Sequence, residues 1–181
     1  KNAYPNGPIC VLEPNLYLYS EPTINQILEF DLIINVAMEL TNYTEYIIEN
    51  NNNNNNTNNN LQYLYIPWTH TSRLINDFPK LTKLINDSLL KNKKILIHCQ
   101  CGVSRSASLI LAYFMKFFKI GYIDAYNMLK LKAPKISPNM TLIYELMEWG
   151  KLLGFTKSKD DDDDDDDDDI TTTNNYESEV N

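Results

Sequence analysis

The sequence predicts a single α/β domain whose central sheet is mainly parallel, twisted and flanked by helices on both faces. Short apolar runs typical of buried strands alternate with longer segments whose apolar residues recur at helical spacing. Strands separated by helices pair in parallel, and parallel sheets are buried on both faces. In addition, residues 94–118 read as a strand, a loop with one glycine and a long apolar helix, which places that loop between a strand and the central helix.

The elements can be assigned in chain order. Residues 9–20 (ICVLEPNLYLYS) predict two short strands around a Pro14–Asn15 turn, and Ser20 and Thr23 are candidate caps for a short helix ending near Phe30. Further strands are predicted at residues 32–36, 61–66 and 94–98, and helices at residues 78–90, 106–118, 122–132 and 139–152. Ser137 and Pro138 are predicted as the cap and first turn of the last helix.

Low-complexity segments set the domain boundaries. Residues 1–156 are predicted to form the folded domain, and residues 157–181, built on ten consecutive aspartates, a disordered acidic tail. Residues 50–60 are asparagine apart from Thr57, and we expect a disordered insertion there because this tract cannot bury apolar surface. Residues 1–8 are expected to be loosely held.

Composition excludes several classes of function. The formal net charge of −8 comes from the aspartate run, and the first 156 residues carry 14 Lys and Arg against 12 Asp and Glu. This weak surplus argues against a nucleic-acid partner, which would need a basic stripe. The longest apolar run, residues 109–115, is too short to span a membrane, and no signal peptide is evident. Three cysteines do not form a secreted disulfide framework, so an intracellular location is expected.

The segment HCQCGVSRS, residues 98–106, carries the chemistry. A loop between a strand and a helix directs backbone N–H groups and the positive helix end at an anion, so it is predicted to be a phosphate loop. Cys99 lies where these dipoles favour a thiolate, which is a nucleophile for phosphorus. Arg105 can hold two phosphate oxygens with its planar guanidinium, and the Ser106 hydroxyl can stabilise the departing sulfur.

These residues resemble a known family. His98, Cys99, Arg105 and Ser106 match the HCxxGxxRS signature of cysteine-dependent protein tyrosine phosphatases, over a similarity that spans about residues 10–154. The flanking segments VLEPNLYLYS, LIINVA, YLYIP and ISPN resemble the dual-specificity, MAP-kinase-phosphatase branch, and the HCQCGVSRS form resembles its fungal members. The resemblance implies hydrolysis of phosphotyrosine, with phosphothreonine or phosphoserine as further substrates, through a cysteinyl phosphate.

The same resemblance implies the partners and the supporting residues. The expected substrate is a phosphorylated MAP kinase. This protein is expected to act as a monomer in the cytoplasm or nucleus, and no metal or cofactor is expected. His98 is expected to hydrogen-bond the loop and favour the thiolate. Asn35 and Asn139 are expected to brace the loop, although either could be a simple turn or cap residue. The backbone that binds phosphate is expected to comprise Gln100, Cys101, Gly102, Val103, Ser104 and Arg105.

The general acid departs from the family pattern. The family places an aspartate three residues after the Ile-Pro that ends a strand, whereas IPWTHTSRL has His70 there. Three interpretations compete: His70 is the acid, since imidazole titrates near neutrality; Asp77 supplies the proton, although an acidic residue at a helix start needs no catalytic reason; or the site has lost its acid and only binds phosphotyrosine. We favour His70, against the simpler alternative of a surface loop histidine.

The second thiol of the loop suggests redox regulation. Cys101 is too close to Cys99 in a tight loop to pair with it comfortably, and Cys10 is the only other cysteine. A Cys10–Cys101 bridge formed under oxidant would be regulatory, and some fungal members of the branch resemble redox-responsive enzymes. The alternative is that Cys101 is an ordinary small loop residue.

Two other functions compete with the phosphatase. One is a phosphotyrosine-binding module without turnover, which the intact Cys99 disfavours. The other is a phosphatase for RNA 5′-ends or phosphoinositides, which share the Cys-x5-Arg loop. Such sites need additional basic residues in the loop, and residues 100–104 contain none.

Overall fold

The computed structural model describes residues 2–53 and 60–154 of the chain. Its core is a five-stranded sheet in the order β1-β2-β5-β3-β4. The strands are β1 (Ile9–Leu12), β2 (Leu16–Tyr19), β3 (Leu32–Asn35), β4 (Gln62–Tyr65) and β5 (Ile95–His98). Only β1 and β2 pair antiparallel; β5 runs parallel to β2 on one side and to β3 on the other. The predicted mainly parallel sheet is therefore confirmed.

Helices cover both faces of this sheet, as predicted. They are α1 (Ile24–Ile27), α2 (Thr44–Asn53), α3 (Phe78–Leu90), α4 (Arg105–Phe118), α5 (Tyr122–Lys132) and α6 (Met140–Leu153). On one face, Ile33 and Leu96 of the sheet pack with Ile27 of α1 and Ile47 of α2. The alternate strand residues face the larger core, which α3, α4, α5 and α6 complete. Residues 105–115 of α4 are all buried, which makes α4 the central helix.

Two predicted boundaries are corrected. Helix α6 begins at Met140, with Asn139 as its N-cap, because the Asn139 side chain accepts the Leu142 N–H and its own backbone is extended. Ser137 and Pro138 therefore precede the helix. Helix α2, which the sequence did not predict, extends to Asn53, so the first four residues of the expected disordered insertion are helical. Ile47 anchors this helix in the core, and Asn51 Nδ2 donates to the Leu61 carbonyl at 3.0 Å.

The expectation of a loose N-terminal segment is wrong at Tyr4, which is 2% exposed. The predicted acidic tail at residues 157–181 and residues 54–59 of the asparagine tract lie outside the described residues. Among the helices of the described chain, none is by itself long and apolar enough to cross a membrane; α4 and α5 meet that criterion only together, with a bend of 120° between them.

Candidate active site

The phosphate loop, residues 99–105, joins the end of β5 to the start of α4. Strand β5 is hydrogen-bonded to a neighbour on each side, so the loop leaves the carboxyl end of an inner strand. Ligands of open α/β sheets bind at this edge. The fold therefore places the loop where the sequence predicted it.

Surrounding segments hold three carbonyl groups of the loop. The contacts are Glu21 N to Gln100 O at 3.3 Å, the Tyr4 hydroxyl to Gly102 O, and Ser137 N to Val103 O at 2.7 Å. The N–H and C=O of a trans peptide group point in opposite directions. Holding the carbonyls outside therefore turns the N–H groups of the same peptides away from these segments, toward the inside of the loop.

Cys99 lies at the base of the loop and is 2% exposed. Its Sγ accepts the Gly102 N–H at 3.2 Å and lies 3.1 Å from the Ser106 hydroxyl oxygen. Both contacts suit a negatively charged sulfur, which would accept a hydrogen bond from the N–H and from the hydroxyl. The structure thus brings together Cys99, Gly102 and Ser106 as the sequence predicted.

Gly102 is the one loop position that excludes any side chain. Its φ of +72° lies in the left-handed region. A Cβ there would lie 2.5 Å from Tyr4 Cε2 and 2.6 Å from the Tyr19 carbonyl oxygen. The glycine therefore permits both the turn and the close approach of Tyr4.

Arg105 is 1% exposed and makes an ion pair that the sequence analysis missed. Its Nη1 donates to Glu39 Oε2 at 2.7 Å and to the Trp68 carbonyl at 2.9 Å, and its Nη2 donates to Glu39 Oε1. Its Nε is buried and has no partner among the described residues. The hydrogen bonds from Arg105 lower the pKa of Glu39 to about 2, and Glu39 in turn raises the pKa of Arg105.

Glu39 is held by a tightly packed loop after β3. Asn35 Oδ1 accepts the Ala37 N–H at 3.1 Å, and Asn35 Nδ2 donates to the Tyr63 hydroxyl at 3.0 Å and the Thr41 carbonyl at 3.3 Å. Asn35 was expected to brace the phosphate loop. Its side chain instead hydrogen-bonds the loop that carries Glu39, at Ala37 and Thr41, and strand β4 at Tyr63, whose hydroxyl also donates to the Thr41 carbonyl at 3.3 Å.

His98 also differs from its expected role. It is buried, and neither ring nitrogen has a hydrogen-bond partner of good geometry within the described chain. Burial lowers the pKa of His98 to about 4, an effect that the nearby Cys99 backbone opposes only in part. The ring is therefore neutral at physiological pH and supplies no positive charge for a thiolate.

Asn139 links the phosphate loop to the segment that carries His70. Its backbone N–H donates to the Ser104 hydroxyl at 3.2 Å, and its Nδ2 donates to the His70 carbonyl at 3.1 Å. Its Oδ1 caps α6 through the Leu142 N–H at 2.9 Å. Both sequence interpretations of Asn139, as a brace and as a cap, describe contacts that the structure contains.

The two candidate acids differ in their surroundings. His70 is exposed in a turn, close enough to Glu39 for its charge to contribute to the lowered pKa of that carboxyl. Asp77 accepts the Trp68 indole N–H at 2.8 Å and directly precedes α3. The structure thus ties Asp77 to Trp68 and leaves the imidazole of His70 at the surface near the Arg105–Glu39 pair.

The three thiols are free in this structure: Cys99 is buried, Cys10 is partly buried and Cys101 is exposed. Cys10 lies opposite Tyr17 in the β1–β2 pair, whereas Cys101 and Ser20 line a cavity of about 330 Å³. Ser20 lies three positions after Tyr17, which is roughly 10 Å along an extended chain. Burial and the nearby Glu13 also raise the pKa of Cys10. A Cys10–Cys101 bridge, which stays a prediction, would need the chain to move.

A metal centre has no counterpart in residues 2–53 and 60–154. Within these ranges, the structure places no three His, Cys, Asp or Glu side chains where they could hold one ion. The ion pair at the loop is the one between Arg105 and Glu39.

A cysteine at the end of an inner parallel strand, a glycine at positive φ and an arginine opening the central helix define the class of cysteine-based phosphate-loop proteins. The family described as dual specificity phosphatase, catalytic domain, matches residues 16–152. The chain belongs to this family, which confirms the resemblance inferred from the sequence.

Individual relatives agree with this assignment. The chain is 51% identical over 153 residues to tyrosine-protein phosphatase MSG5 of Saccharomyces cerevisiae, covering 84% of this chain and 30% of that protein. It is 38% identical over 156 residues to tyrosine-protein phosphatase pmp1 of Schizosaccharomyces pombe, covering 83% and 56%. The chain thus spans about a third of the first relative and just over half of the second. The crystal structure of human DUSP28 shares the fold at 19% identity, with a TM-score of 0.69, covering 85% of this chain and 99% of that one.

Proposed function

We propose that this domain is a phosphatase that hydrolyses phosphotyrosine through a covalent phosphate on Cys99. One observation carries the proposal: the Cys99 sulfur lies within 3.2 Å of the Gly102 N–H and 3.1 Å from the Ser106 hydroxyl, at the base of a loop whose carbonyls are held outside it. This arrangement suits both a sulfur anion and the phosphoryl group that it would attack. Phosphothreonine and phosphoserine are further substrates under the same proposal.

Arg105 would hold the transferred group. Hydrogen bonds to Glu39 and the Trp68 carbonyl use both hydrogens of Nη1 and one of the two on Nη2, which fixes the plane of the guanidinium. The unpartnered Nε–H and the second Nη2–H are the donors left, and together they can bind two phosphate oxygens. An arginine fixed in this way stabilises the charge on the phosphoryl oxygens with little reorganisation.

The reaction would have two displacements at phosphorus. In the first, the Cys99 thiolate forms a sulfur–phosphorus bond while the bond to the tyrosine oxygen breaks, and the phenolate takes a proton from the His70 imidazolium. In the second, water attacks the same phosphorus, the sulfur–phosphorus bond breaks, and neutral His70 takes the proton from the water. The Ser106 hydroxyl stabilises the sulfur as it departs. The products are tyrosine and inorganic phosphate, and His70 ends protonated as it began.

His70 is the preferred acid because Asp77 already has a structural partner. Withdrawing Asp77 toward the loop would break its hydrogen bond from Trp68, whose carbonyl supports Arg105. The His70 imidazole is exposed in a turn near Glu39, and Asn139 holds its backbone carbonyl.

The substrate is proposed to be the phosphorylated tyrosine of an activated MAP kinase. This protein is proposed to act on it as a monomer inside the cell, in the cytoplasm or nucleus. The fungal form of the loop and the similarity to MSG5 and pmp1, both described as tyrosine-protein phosphatases, support the tyrosine preference. Three thiols without a disulfide suit a reducing compartment.

Rapid-quench kinetics with a 32P-labelled phosphotyrosine peptide test the mechanism. The wild type is expected to release tyrosine in a burst, and Ser106→Ala to accumulate labelled protein unless Cys99 has been alkylated beforehand. Cys99→Ser should acquire no label. Tight phosphopeptide binding without a burst would instead identify a binding module. Comparing doubly phosphorylated kinase-loop peptides with 5′-phosphorylated RNA and phosphoinositides tests the substrate, and light scattering tests the monomer.

A further inference from the structure

The segment before β1 contains a buried tyrosine that the proposed chemistry does not use. Tyr4 is 2% exposed although it lies outside any helix or strand. Its backbone N–H donates to Asn2 Oδ1 at 2.9 Å, and its carbonyl accepts the Gly7 N–H at 3.3 Å. A local turn therefore fixes the backbone on both sides of this side chain.

The ring of Tyr4 packs against the phosphate loop. It meets the Tyr19 ring edge to face, with centroids 5.8 Å apart and an interplanar angle of 70°. Tyr4 Cε2 is 2.5 Å from the position that a Cβ on Gly102 would occupy. The ring is thus in direct contact with the one loop residue that has no side chain.

The hydroxyl of Tyr4 fixes a peptide group of the loop. It donates to the Gly102 carbonyl, and the Gly102–Val103 peptide is trans. The Val103 N–H therefore points away from Tyr4. Gly102 donates its own N–H to the Cys99 sulfur at 3.2 Å, so both peptide groups that flank Gly102 are oriented.

We propose that Tyr4 is a positioning residue for oxyanion binding: it holds the Gly102 carbonyl outside the phosphate loop and so aims the Val103 N–H at the bound phosphoryl group. This inference rests on the proposed function, because it names a residue that shapes that site. A hydrogen bond to a carbonyl also polarises its peptide group, which makes the N–H at the other end a better donor.

The hydroxyl is suited to this role over the whole working range of pH. Burial and the negative charge of the Cys99 sulfur raise the pKa of Tyr4 well above its usual value. Tyr4 therefore keeps its proton and acts as a fixed donor rather than as an acid. In Tyr4→Phe the ring would still pack on Gly102, but the carbonyl would lose its partner and the peptide its orientation.

The test compares Tyr4→Phe with the wild type and with Tyr113→Phe. Tyr113 is a matched control, because it is also buried and its hydroxyl has one side-chain partner, Asn86 Oδ1 at 3.3 Å, on α3. Two readouts are kcat and KM for a phosphotyrosine peptide and binding of orthovanadate, which mimics the phosphoryl group, by calorimetry. Thermal unfolding of all three proteins is measured alongside.

Loss of one buried hydrogen bond is expected to weaken orthovanadate binding by about three- to tenfold in Tyr4→Phe and to lower kcat by a similar factor. Tyr113→Phe should change neither. Unchanged orthovanadate affinity and kcat in Tyr4→Phe would overturn the proposal, and so would a loss confined to thermal stability. If the wild type binds orthovanadate but turns over no substrate, the proposed function fails while the calorimetric comparison still decides the role of Tyr4.

Discussion

The ion pair between Arg105 and Glu39 allows the cost of a single substitution to be worked out. In Glu39→Gln, the amide oxygen still accepts one hydrogen bond from Arg105, but the negative charge is lost. The pKa of Glu39 falls from 4.5 to about 2, chiefly because Arg105 donates hydrogen bonds to it. At face value this difference corresponds to roughly 3 kcal/mol of stabilisation at neutral pH.

Solvent reduces this figure. The side chain of Glu39 is 37% exposed whereas the side chain of Arg105 is 2% exposed, so water screens one partner of the pair. We therefore expect Glu39→Gln to lower the free energy of unfolding by about 1 to 2 kcal/mol at pH 7. The upper end applies if Arg105 is left with an incompletely paired buried charge.

The effect must depend on pH in one direction. A carboxyl whose pKa is lower in the folded state stabilises the fold above its unfolded pKa, and this contribution disappears as the pH falls through the folded pKa. For Glu39 the window runs from about pH 4.5 down to about 2. The stability difference between wild type and Glu39→Gln should therefore shrink as the pH falls below 4.5.

Urea denaturation at a series of pH values measures this difference. Asp87→Asn is the matched control, since the Lys83–Asp87 pair at 2.6 Å is exposed on both sides. Breaking that pair should cost no more than about 0.5 kcal/mol. If Glu39→Gln costs as little as Asp87→Asn at pH 7, or if its cost grows as the pH falls, the reasoning about Arg105 is refuted.

Three further substitutions test the site. His70→Asn should lower kcat on a phosphotyrosine peptide by about 10²-fold. Hydrolysis of p-nitrophenyl phosphate should be nearly unchanged, because only the tyrosine leaving group needs a proton. Equal losses on both substrates would contradict an acid role. Gly102→Ala should lower the free energy of unfolding by about 2 kcal/mol or more, measured by denaturation, because of the positive φ and the 2.5 Å approach of Tyr4. The same substitution should abolish orthovanadate binding. Normal binding would show that the loop tolerates a side chain. Mild oxidant should yield a Cys10–Cys101 peptide by mass spectrometry in wild type but not in Cys10→Ala; a wild-type protein that forms only Cys99 adducts would exclude the bridge.

Periodicity and one motif were enough to predict most of the fold. The strands are short apolar runs, and α4 follows the loop with an unbroken run of buried residues from Leu109 to Met115. Helix α2 escaped prediction because much of it is asparagine, a residue of low helix propensity, and a single buried side chain, Ile47, fixes it. Helix α2 is therefore stabilised by tertiary packing, and its local sequence gives little indication of that packing.

The site was predicted as far as its residues are close in sequence. Cys99, Gly102, Arg105 and Ser106 lie within one loop, so spacing and chemistry were enough to propose them, and their roles in the reaction stay predictions. Glu39 lies 66 residues from its partner in a loop with no motif of its own. The one available signal was its place just after β3, because the carboxyl ends of neighbouring parallel strands meet at one edge of a sheet and β3 adjoins β5.

Asn35 and His98 show why resemblance alone misplaced supporting side chains. Asn35 has three hydrogen-bond partners, two in the loop that carries Glu39 and one in β4, and none of these lies in the phosphate loop. His98 is turned into the core, where burial keeps it neutral. Which way a side chain turns at the end of a strand depends on neighbours that are distant in sequence, so a motif identifies the residue but not its contact.

The same limit applies to the phosphate loop itself. Its N–H groups can receive an anion only if its carbonyls are held elsewhere, since each peptide group has one of each. The donors that hold them come from three distant segments, at Tyr4, Glu21 and Ser137. A loop without these three hydrogen bonds would lose conformational entropy each time it bound an anion. The hydrogen bonds from distant segments therefore preorganise the site. Transplanting residues 98–106 alone into another strand–helix connection should therefore give a reactive cysteine with weak oxyanion affinity.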